Sequence, residues 1–168
     1  MQLTNSATRS KLQGMIHHAY FHSPLGFIEL QSDGEGLASV RFVEAPRHAH
    51  VLSPVLHAAI HQLTEYFSGE RRQFDLPLQV QGTSFQQSVW RQLCAIPFGE
   101  TLTYREVAIA LGKPEAIRAV GAAIAANPIL IVVPCHRVIA SSGKLGGYSG
   151  GLWRKAWLLR HEGALFRT

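Results

Sequence analysis

The run Ile129-Leu130-Ile131-Val132-Val133 carries no charge, and it ends abruptly at Pro134-Cys135-His136-Arg137-Val138. Proline fixes its own backbone angle and biases Val133 towards an extended conformation, so the run predicts a strand that stops just before the thiol. Cys135, one of two cysteines, then sits at a strand end beside a histidine. Thiolate rather than thiol is the nucleophile, and positive charge on His136 and Arg137 favours ionisation from an ordinary value of about 8.5. Cys135 is therefore a candidate nucleophile. An inert core side chain is an equally good reading of the same residue, because free cysteine is among the most buried residue types.

Upstream of this junction the sequence reads as helices. Thr83 with Gln86, and Thr103 with Glu106, have capping-box spacing. The first pair opens a helix with Phe85, Val89 and Leu93 on one face, and the second a short helix from Tyr104 to Leu111. Gly112-Lys113-Pro114 stops that helix, and another is expected from about Glu115 to Ala126. Two helices joined by a short glycine-containing turn make a helix-turn-helix candidate. In the later helix Ile117, Val120 and Ile124 share a stripe suited to inward packing. Gly121, Ala122 and Ala125 leave another side almost without bulk, fit either for tight helix packing or for close approach to a foreign backbone. Arg118 beside that smooth side suits a phosphate or a base stack.

Downstream, Gly146-Gly147-Tyr148-Ser149-Gly150-Gly151 is dense enough in glycine to let backbone approach a ligand, or to form an ordinary surface loop. Leu152, Ala156 and Leu159 mark a final helix with Gly163 as its stop. Glu162 falls at the helix end where the macrodipole disfavours a carboxylate, which calls for a partner elsewhere.

The first half reads differently. Met15–His22, Phe27–Gln31 and Leu37–Phe42 are β-like runs separated by the turn sequences Ser23-Pro24-Leu25-Gly26 and Ser32-Asp33-Gly34-Glu35-Gly36. They predict an antiparallel meander. Pro54–Phe67 has helical spacing and a Ser68-Gly69 stop, so a helix is expected to cover one sheet face. Phe74–Gln81 reads as an extended linker. The expected organisation is a flexible leader over 1–13, an α/β domain over 14–73, a linker over 74–82 and a second domain over 83–168.

A chain of 168 residues buries about 70% of its unfolded surface and folds without staples. Two cysteines in dissimilar contexts exclude a secreted disulfide framework and fit a reducing cytoplasm. No stretch has the apolar length of a signal peptide or a bilayer span. Residues 1–81 carry six Lys/Arg against seven Asp/Glu, whereas 82–168 carry ten against four, so a net +6 is concentrated in the second half. A basic half is the electrostatic footprint of a nucleic-acid binder.

Pro134-Cys135-His136-Arg137-Val138, with Asn127-Pro128 before it and Gly147-Tyr148-Ser149-Gly150-Gly151 after it, closely resembles the methylated-DNA-protein-cysteine methyltransferases, the 6-O-alkylguanine repair proteins. Phe98-Gly99-Glu100, Thr103-Tyr104, Arg118-Ala119-Val120-Gly121 and Leu158-Leu159-Arg160-His161-Glu162-Gly163 follow in the family's order and spacing. The resemblance is specific over about residues 82–165 and general before them. It implies an α+β fold, with a ribonuclease-H-like N-terminal sheet and helix followed by a mostly helical DNA-binding domain. It implies Cys135 as alkyl acceptor, His136 as base through a water, Glu162 as the carboxylate behind the histidine, and Asn127 as a brace for the turn. By the same resemblance Arg118 is a finger that fills the stack of a flipped base, and Tyr104 strains a phosphate and donates to the guanine ring. The carbonyls of Cys135 and Val138 meet the exocyclic amine, and the Ser149 N–H meets the alkylated oxygen. Arg105, Lys113 and Ser141 hold the DNA backbone, and Ala119, Gly121, Ala122 and Tyr148 complete the contact set.

The expected partner is double-stranded DNA carrying 6-O-alkylguanine, with 4-O-alkylthymine and cooperative binding left open. A monomer with no cofactor, no obligate protein partner and no membrane contact is expected. Neither cysteine lies in the first half, so the cysteine-held zinc of some relatives is absent as such. The spacing of His17, His18, His22, His48, His50, His57 and His61 matches no metal pattern. A lesion binder of the same fold would lack the cysteine. A sequence-reading regulator would need base-reading side chains where the helix offers alanine and glycine, and a thiol hydrolase leaves Arg118 unexplained.

Overall fold

The computed structural model describes residues 3–4 and 15–168, which divide between Gln81 and Gly82 into two compact units. In the first unit, β2 (His17–Ser23), β3 (Gly26–Ser32) and β4 (Leu37–Val43) form the expected meander, each antiparallel to its neighbour. The turns are made by side chains as well as backbone. Ser23 Oγ accepts from Leu25 N–H and donates to the Gly26 carbonyl, and Asp33 Oδ1 accepts from Glu35 and Gly36 N–H.

Two short strands make the sheet mixed rather than antiparallel. β1 (Leu3–Thr4) and β5 (Leu78–Gln79) add on in parallel, giving the order β1-β5-β4-β3-β2. Leu3 and Thr4, read as part of a loose leader, are thus paired in the sheet, and the rest of 1–13 lies outside the described residues. Helix α1 (Pro54–Phe67) has the predicted limits, with Ser53 capping Leu56 N–H and proline at its start. Its Leu56, Ala59, Leu63 and Tyr66 are buried together with Ala19, Ile28, Leu30 and Val40 of the sheet.

Residues 74–81, expected as linker, belong to this first unit. Phe74, Leu76, Leu78 and Val80 are buried while Asp75 and Pro77 are exposed, a two-residue alternation that puts one side of an extended segment into the core. Gln62 of α1 clamps the segment from both directions, donating to the Asp75 carbonyl and accepting from its N–H at 2.9 and 2.8 Å.

The second unit contains α2 (Ser84–Cys94), β6 (Leu102–Thr103), α3 (Tyr104–Ala110), α4 (Ile117–Ala125), a 3-10 helix over Cys135–Arg137, β7 (Val138–Ile139) and α5 (Leu152–His161). Both predicted capping boxes form, Thr83 with Gln86 and Thr103 with Glu106. Helices α3 and α4 make the helix-turn-helix through residues 111–116. Trp90 of α2 donates its indole N–H to the Ala123 carbonyl of α4 at 2.8 Å, fixing one helix on the other.

Two expectations fail here. Ile117 is 38% exposed, so the inward stripe of α4 is Val120, Ala123 and Ile124. The run 129–133 is buried but is a turn, not a strand. Its bonds are local, Val132 N–H to the Leu130 carbonyl and Val133 N–H to that of Ile129, and Ile131 has φ 70°. A β-branched residue in that region is strained, and the Asn127 side chain is what holds the bend, as described below.

Because 74–81 is core, Leu78→Ala is expected to cost about 2–4 kcal/mol in a denaturant titration, whereas Asp75→Ala at an exposed neighbour changes stability by less than about 0.5 kcal/mol. Comparable small effects at both positions would return the segment to a linker.

Candidate active site

Asn127 leaves α4 and supplies the hydrogen bonds that a strand ladder would have supplied. Its Nδ2 donates to the Val133 carbonyl at 2.9 Å and its Oδ1 accepts from Ile129 N–H at 2.9 Å. The bend so held presents Cys135 at the start of the 3-10 helix, 4% exposed. The thiol therefore opens a helical turn rather than ending a strand. Burial pushes it up to about 11, against the Asn127 side chain and the charge of Lys155, which pull it down.

Next in sequence, His136 is fully buried and its Nε2 lies 2.7 Å from Glu162 Oε1. Glu162 is the C-cap of α5. Burial alone would raise its carboxyl, but the hydrogen bonds and charges of His136 and Arg137 outweigh this and hold it well below the usual carboxylate range. An ionised carboxylate only accepts, so Nε2 carries the hydrogen. Burial also holds His136 below its ordinary value, against the pull of Glu162, which keeps the ring neutral. Nδ1 then carries a lone pair, and this buried atom has no hydrogen-bond partner among the described residues. The arrangement is a base aimed by a buried anion.

Arg137, expected from sequence only as positive charge beside the thiol, holds the other side of Glu162. Its Nε and Nη2 donate to the two carboxylate oxygens at 2.8 and 3.0 Å, and Nη1 donates to the Ile96 carbonyl at 2.7 Å. Lys155 is not among the residues the sequence patterns single out. It is buried in α5, and its Nζ donates to the Val138 carbonyl at 2.6 Å and the Gly147 carbonyl at 2.9 Å. Its place four residues before Leu159, on the apolar stripe of the helix, was the available signal.

A cavity of about 270 Å³ opens beside the thiol, lined by Tyr104, Gly121, Ile124, Ala125, Cys135 and the segment Gly147 to Ser149. Tyr104 Oη accepts from Gly147 N–H at 3.3 Å, which leaves its own O–H to donate. Burial raises its pKa, so it is a neutral donor at ordinary pH. Tyr148 is likewise pushed well up by burial, and its buried hydroxyl has no hydrogen-bond partner among the described residues. Gly146 has φ 71°, and a Cβ there would lie 2.8 Å from Tyr104 Oη. That close approach admits only glycine.

The smooth side of α4 faces outward. Arg118, Ala119, Ala122 and Ala125 are exposed and Gly121 is half-buried, so internal helix packing does not account for the small residues. Arg105, Lys113, Ser141 and Ser149 are also exposed, and Val138 is buried. Lys113 Nζ sits 5.1 Å from the Phe85 ring centre.

In the first unit the fold gathers histidines that looked scattered in sequence. Ligand atoms of His18, Glu29 and His48 lie within 4.8 Å of one another. Glu29 is already committed to Tyr20, Gln31 and Arg41, and the two imidazoles stack at 4.0 Å with 19° between planes. The Arg41 guanidinium, 2.7 Å from that carboxylate, already supplies the positive charge a metal ion would bring.

Known proteins show the same combination. The model described as 6-O-methylguanine DNA methyltransferase, ribonuclease-like domain, matches residues 16–80, and that described as 6-O-methylguanine DNA methyltransferase, DNA binding domain, matches 84–164. The chain is 44% identical over 153 residues to a methylated-DNA–protein-cysteine methyltransferase of Methanosarcina barkeri, covering 88% of this chain and 97% of that one. It is 46% identical over 153 residues to one from Mycobacterium tuberculosis, with 88% and 93% covered. The crystal structure of M. tuberculosis O6-methylguanine methyltransferase superposes with a TM-score of 0.81 at 44% identity, covering 89% of this chain and 93% of that chain. The M. tuberculosis OGT in complex with DNA gives 0.81 at 46% identity, with 88% and 92% covered. Fold and site thus define a DNA-binding methyltransferase of the DNA-repair class. The chain belongs to the methylated-DNA–protein-cysteine methyltransferase family.

The Glu162 cluster predicts a pH dependence. A carboxyl lowered on folding adds stability that is complete above its unfolded value of about 4.3 and is lost as pH falls through that value towards the folded one. Glu162→Gln is expected to destabilise by about 3–5 kcal/mol at pH 7, since it leaves Arg137 buried and unpaired. The gap should narrow steadily below about pH 4.3, measured by denaturant unfolding at each pH. A gap of constant size would mean that the carboxylate is not ionised in the folded protein.

Proposed function

We propose that this protein repairs DNA by binding the minor groove through α4, extruding 6-O-alkylguanine into the cavity and transferring the alkyl group irreversibly to Cys135. One observation carries the reading: a buried thiol lines a cavity bounded by α4, whose small residues are exposed, and the next residue in sequence is a histidine polarised by an ionised glutamate. A lesion inside a duplex cannot reach such a thiol, and extrusion costs a few kcal/mol of lost stacking and pairing. Arg118, exposed at the start of α4, fills the vacated stack. Ala119, Gly121 and Ala122 let the groove approach, and Arg105, Lys113 and Ser141 hold phosphates.

A water between Cys135 Sγ and His136 Nδ1 relays the thiol proton, and the Glu162 carboxylate stabilises the imidazolium that forms. Sulfur then attacks the alkyl carbon, the carbon–oxygen bond breaks, and the electron pair leaves with the guanine oxygen. That oxygen meets the Ser149 N–H, while Tyr104 donates to the ring nitrogen. The proton lost by the thiol is returned to guanine, so the products are a thioether and an intact base. Carbon on neutral sulfur is a poor target for water, so each chain acts once and needs no cofactor. Val138 accepts from Lys155 with one lone pair, and its second remains for the exocyclic amine. Two free thiols suit a reducing, cytoplasmic setting.

Incubation with an oligonucleotide bearing one 6-O-methylguanine should add one methyl mass per chain, and Cys135→Ala should abolish the gain. Repeated turnover, or no gain, rejects the reading. If Arg118 supports the extruded state, Arg118→Ala slows transfer from duplex about tenfold, a barrier rise of roughly 1.4 kcal/mol, and leaves the rate with free alkylated base nearly unchanged. Equal slowing of both removes the finger role.

A further inference from the structure

Between Pro134 and Thr168 the chain has six Lys/Arg and a single carboxylate side chain, Glu162, which is buried in its own cluster. Four of the six cations are placed by contacts within the protein: Arg137 by Glu162, Arg154 by the Gly150 carbonyl, Lys155 by two carbonyls, and Arg160 by the Phe166 ring, whose centre lies 5.3 Å from its guanidinium. Lys144 and Arg167 are both exposed, and neither forms an ion pair among the described residues. They are nonetheless bridge partners, side by side in parallel extended backbone. Such partners send their side chains to the same face, and like charges placed opposite one another repel.

The fold holds the pair together all the same. Arg167 N–H donates to the Gly143 carbonyl at 2.6 Å and its Nη1 to the Ser142 carbonyl at 3.3 Å. Its stem lies on Gly143, with Cδ and Cγ 2.8 and 2.9 Å from where a Cβ would stand. Phe166, one residue earlier, packs with Leu145 on the cluster of Ile139, Leu159 and Ala164. Two cations fixed together without a carboxylate define a place for an anion.

We propose that Lys144 and Arg167 clamp a DNA phosphate at the turn Ser141–Gly143, so that the interface extends past α4 onto the segment following α5. The proposal rests on the reading of Ser141, exposed on the same turn, as a phosphate contact. The turn is closed by Gly143 N–H to the Ala140 carbonyl, and Ala140 directly follows β7, which continues from the Cys135 helix. Groups on it thus keep a fixed offset from the thiol. With Nη1 engaged by Ser142, Arg167 retains Nε and Nη2 as donors for phosphate oxygens, and Lys144 adds a compact point charge. A phosphodiester between them removes the repulsion and joins this turn to the phosphate contacts of Arg105 and Lys113.

Fluorescence anisotropy of the full chain with a labelled, undamaged duplex, repeated over a salt series, tests the clamp apart from alkyl transfer. Arg167→Gln and Lys144→Gln are each expected to reduce the slope of log affinity against log salt by about 0.9 and to weaken binding about eightfold at about 0.1 M salt, with the difference closing towards about 1 M. Arg167→Lys keeps the slope. An unchanged slope in either Gln variant overturns the clamp, whatever its loss of affinity, because a turn merely loosened by the substitution loses affinity equally at every salt concentration. Should a variant fail to fold, acetylation of Lys144 in the native chain with and without duplex, read by peptide mass mapping, gives the same answer. Protection by duplex supports the clamp, and equal acetylation refutes it. If the native chain shows these slopes yet gains no methyl from the damaged oligonucleotide, the acceptor reading fails and the clamp stands; if it gains the methyl and the slopes are unmoved, the clamp alone fails.

Discussion

The second unit depends on one buried carboxylate. Glu162 caps α5, receives His136 and Arg137 from the 3-10 helix, and through Arg137 reaches the Ile96 carbonyl just past α2. Three chain segments far apart in sequence are therefore located by four charge-assisted or buried hydrogen bonds around a single group. Such a cluster is worth little as net stabilisation, because desolvating its charges offsets most of their attraction, but removing any member leaves another uncompensated. What it supplies is specificity. The proton on His136 has only one nitrogen to occupy while Glu162 stays ionised, so the tautomer follows from the fold.

Around that anchor, the thiol is placed by a second economy of hydrogen bonding. Asn127 satisfies one N–H and one C=O across the 129–133 bend and so replaces a strand ladder at its cheapest, with one side chain serving six residues of backbone. The bend accommodates Ile131 in a left-handed conformation that isolated isoleucine avoids. Burial of the whole run, with Ile129, Ile131 and Val133 each about 1% exposed or less, holds the strain in place. The Cys135 thiol thus stands on a segment whose geometry is over-determined from both ends.

Local rules made much of this legible. Both capping boxes are contacts within three residues and depend on nothing distant, so Thr83 and Thr103 announced α2 and α3 correctly. The limits of α1 followed from Ser53-Pro54 and Ser68-Gly69 for the same reason. The errors share one cause: hydrophobic pattern reports burial, not conformation. The apolar run 129–133 is buried as expected, yet a side chain six residues from its last partner decided that it turns. Phe74 to Val80 alternates as a strand does, but Pro77 drew attention to its breaks rather than to its buried side, and only its register against Leu37 shows that it completes the sheet. Ile117 shares a stripe with Val120 and sits one turn too early to be covered. The partners of Arg137 and Lys155 were not legible, because no local pattern indicates which carbonyl or carboxylate from elsewhere will meet a charged side chain. Cys135 beside His136 and the ill-placed carboxylate of Glu162 were legible locally as candidates, their joint roles and that of Asn127 followed only from the family pattern, and their mutual geometry is visible only in three dimensions.

The concealment of Cys135 also bears on shelf life. Peroxides and stray electrophiles select thiols by exposure and by the fraction ionised, and this one is 4% exposed with its proton held up to about 11 by burial. Cys94 is only half-buried, but burial likewise pushes its thiol up to about 11. Contact with the small oxidants of a cell damages such a sulfur less than it would a surface thiolate, so the thiol keeps its reduced form without a partner to regenerate it.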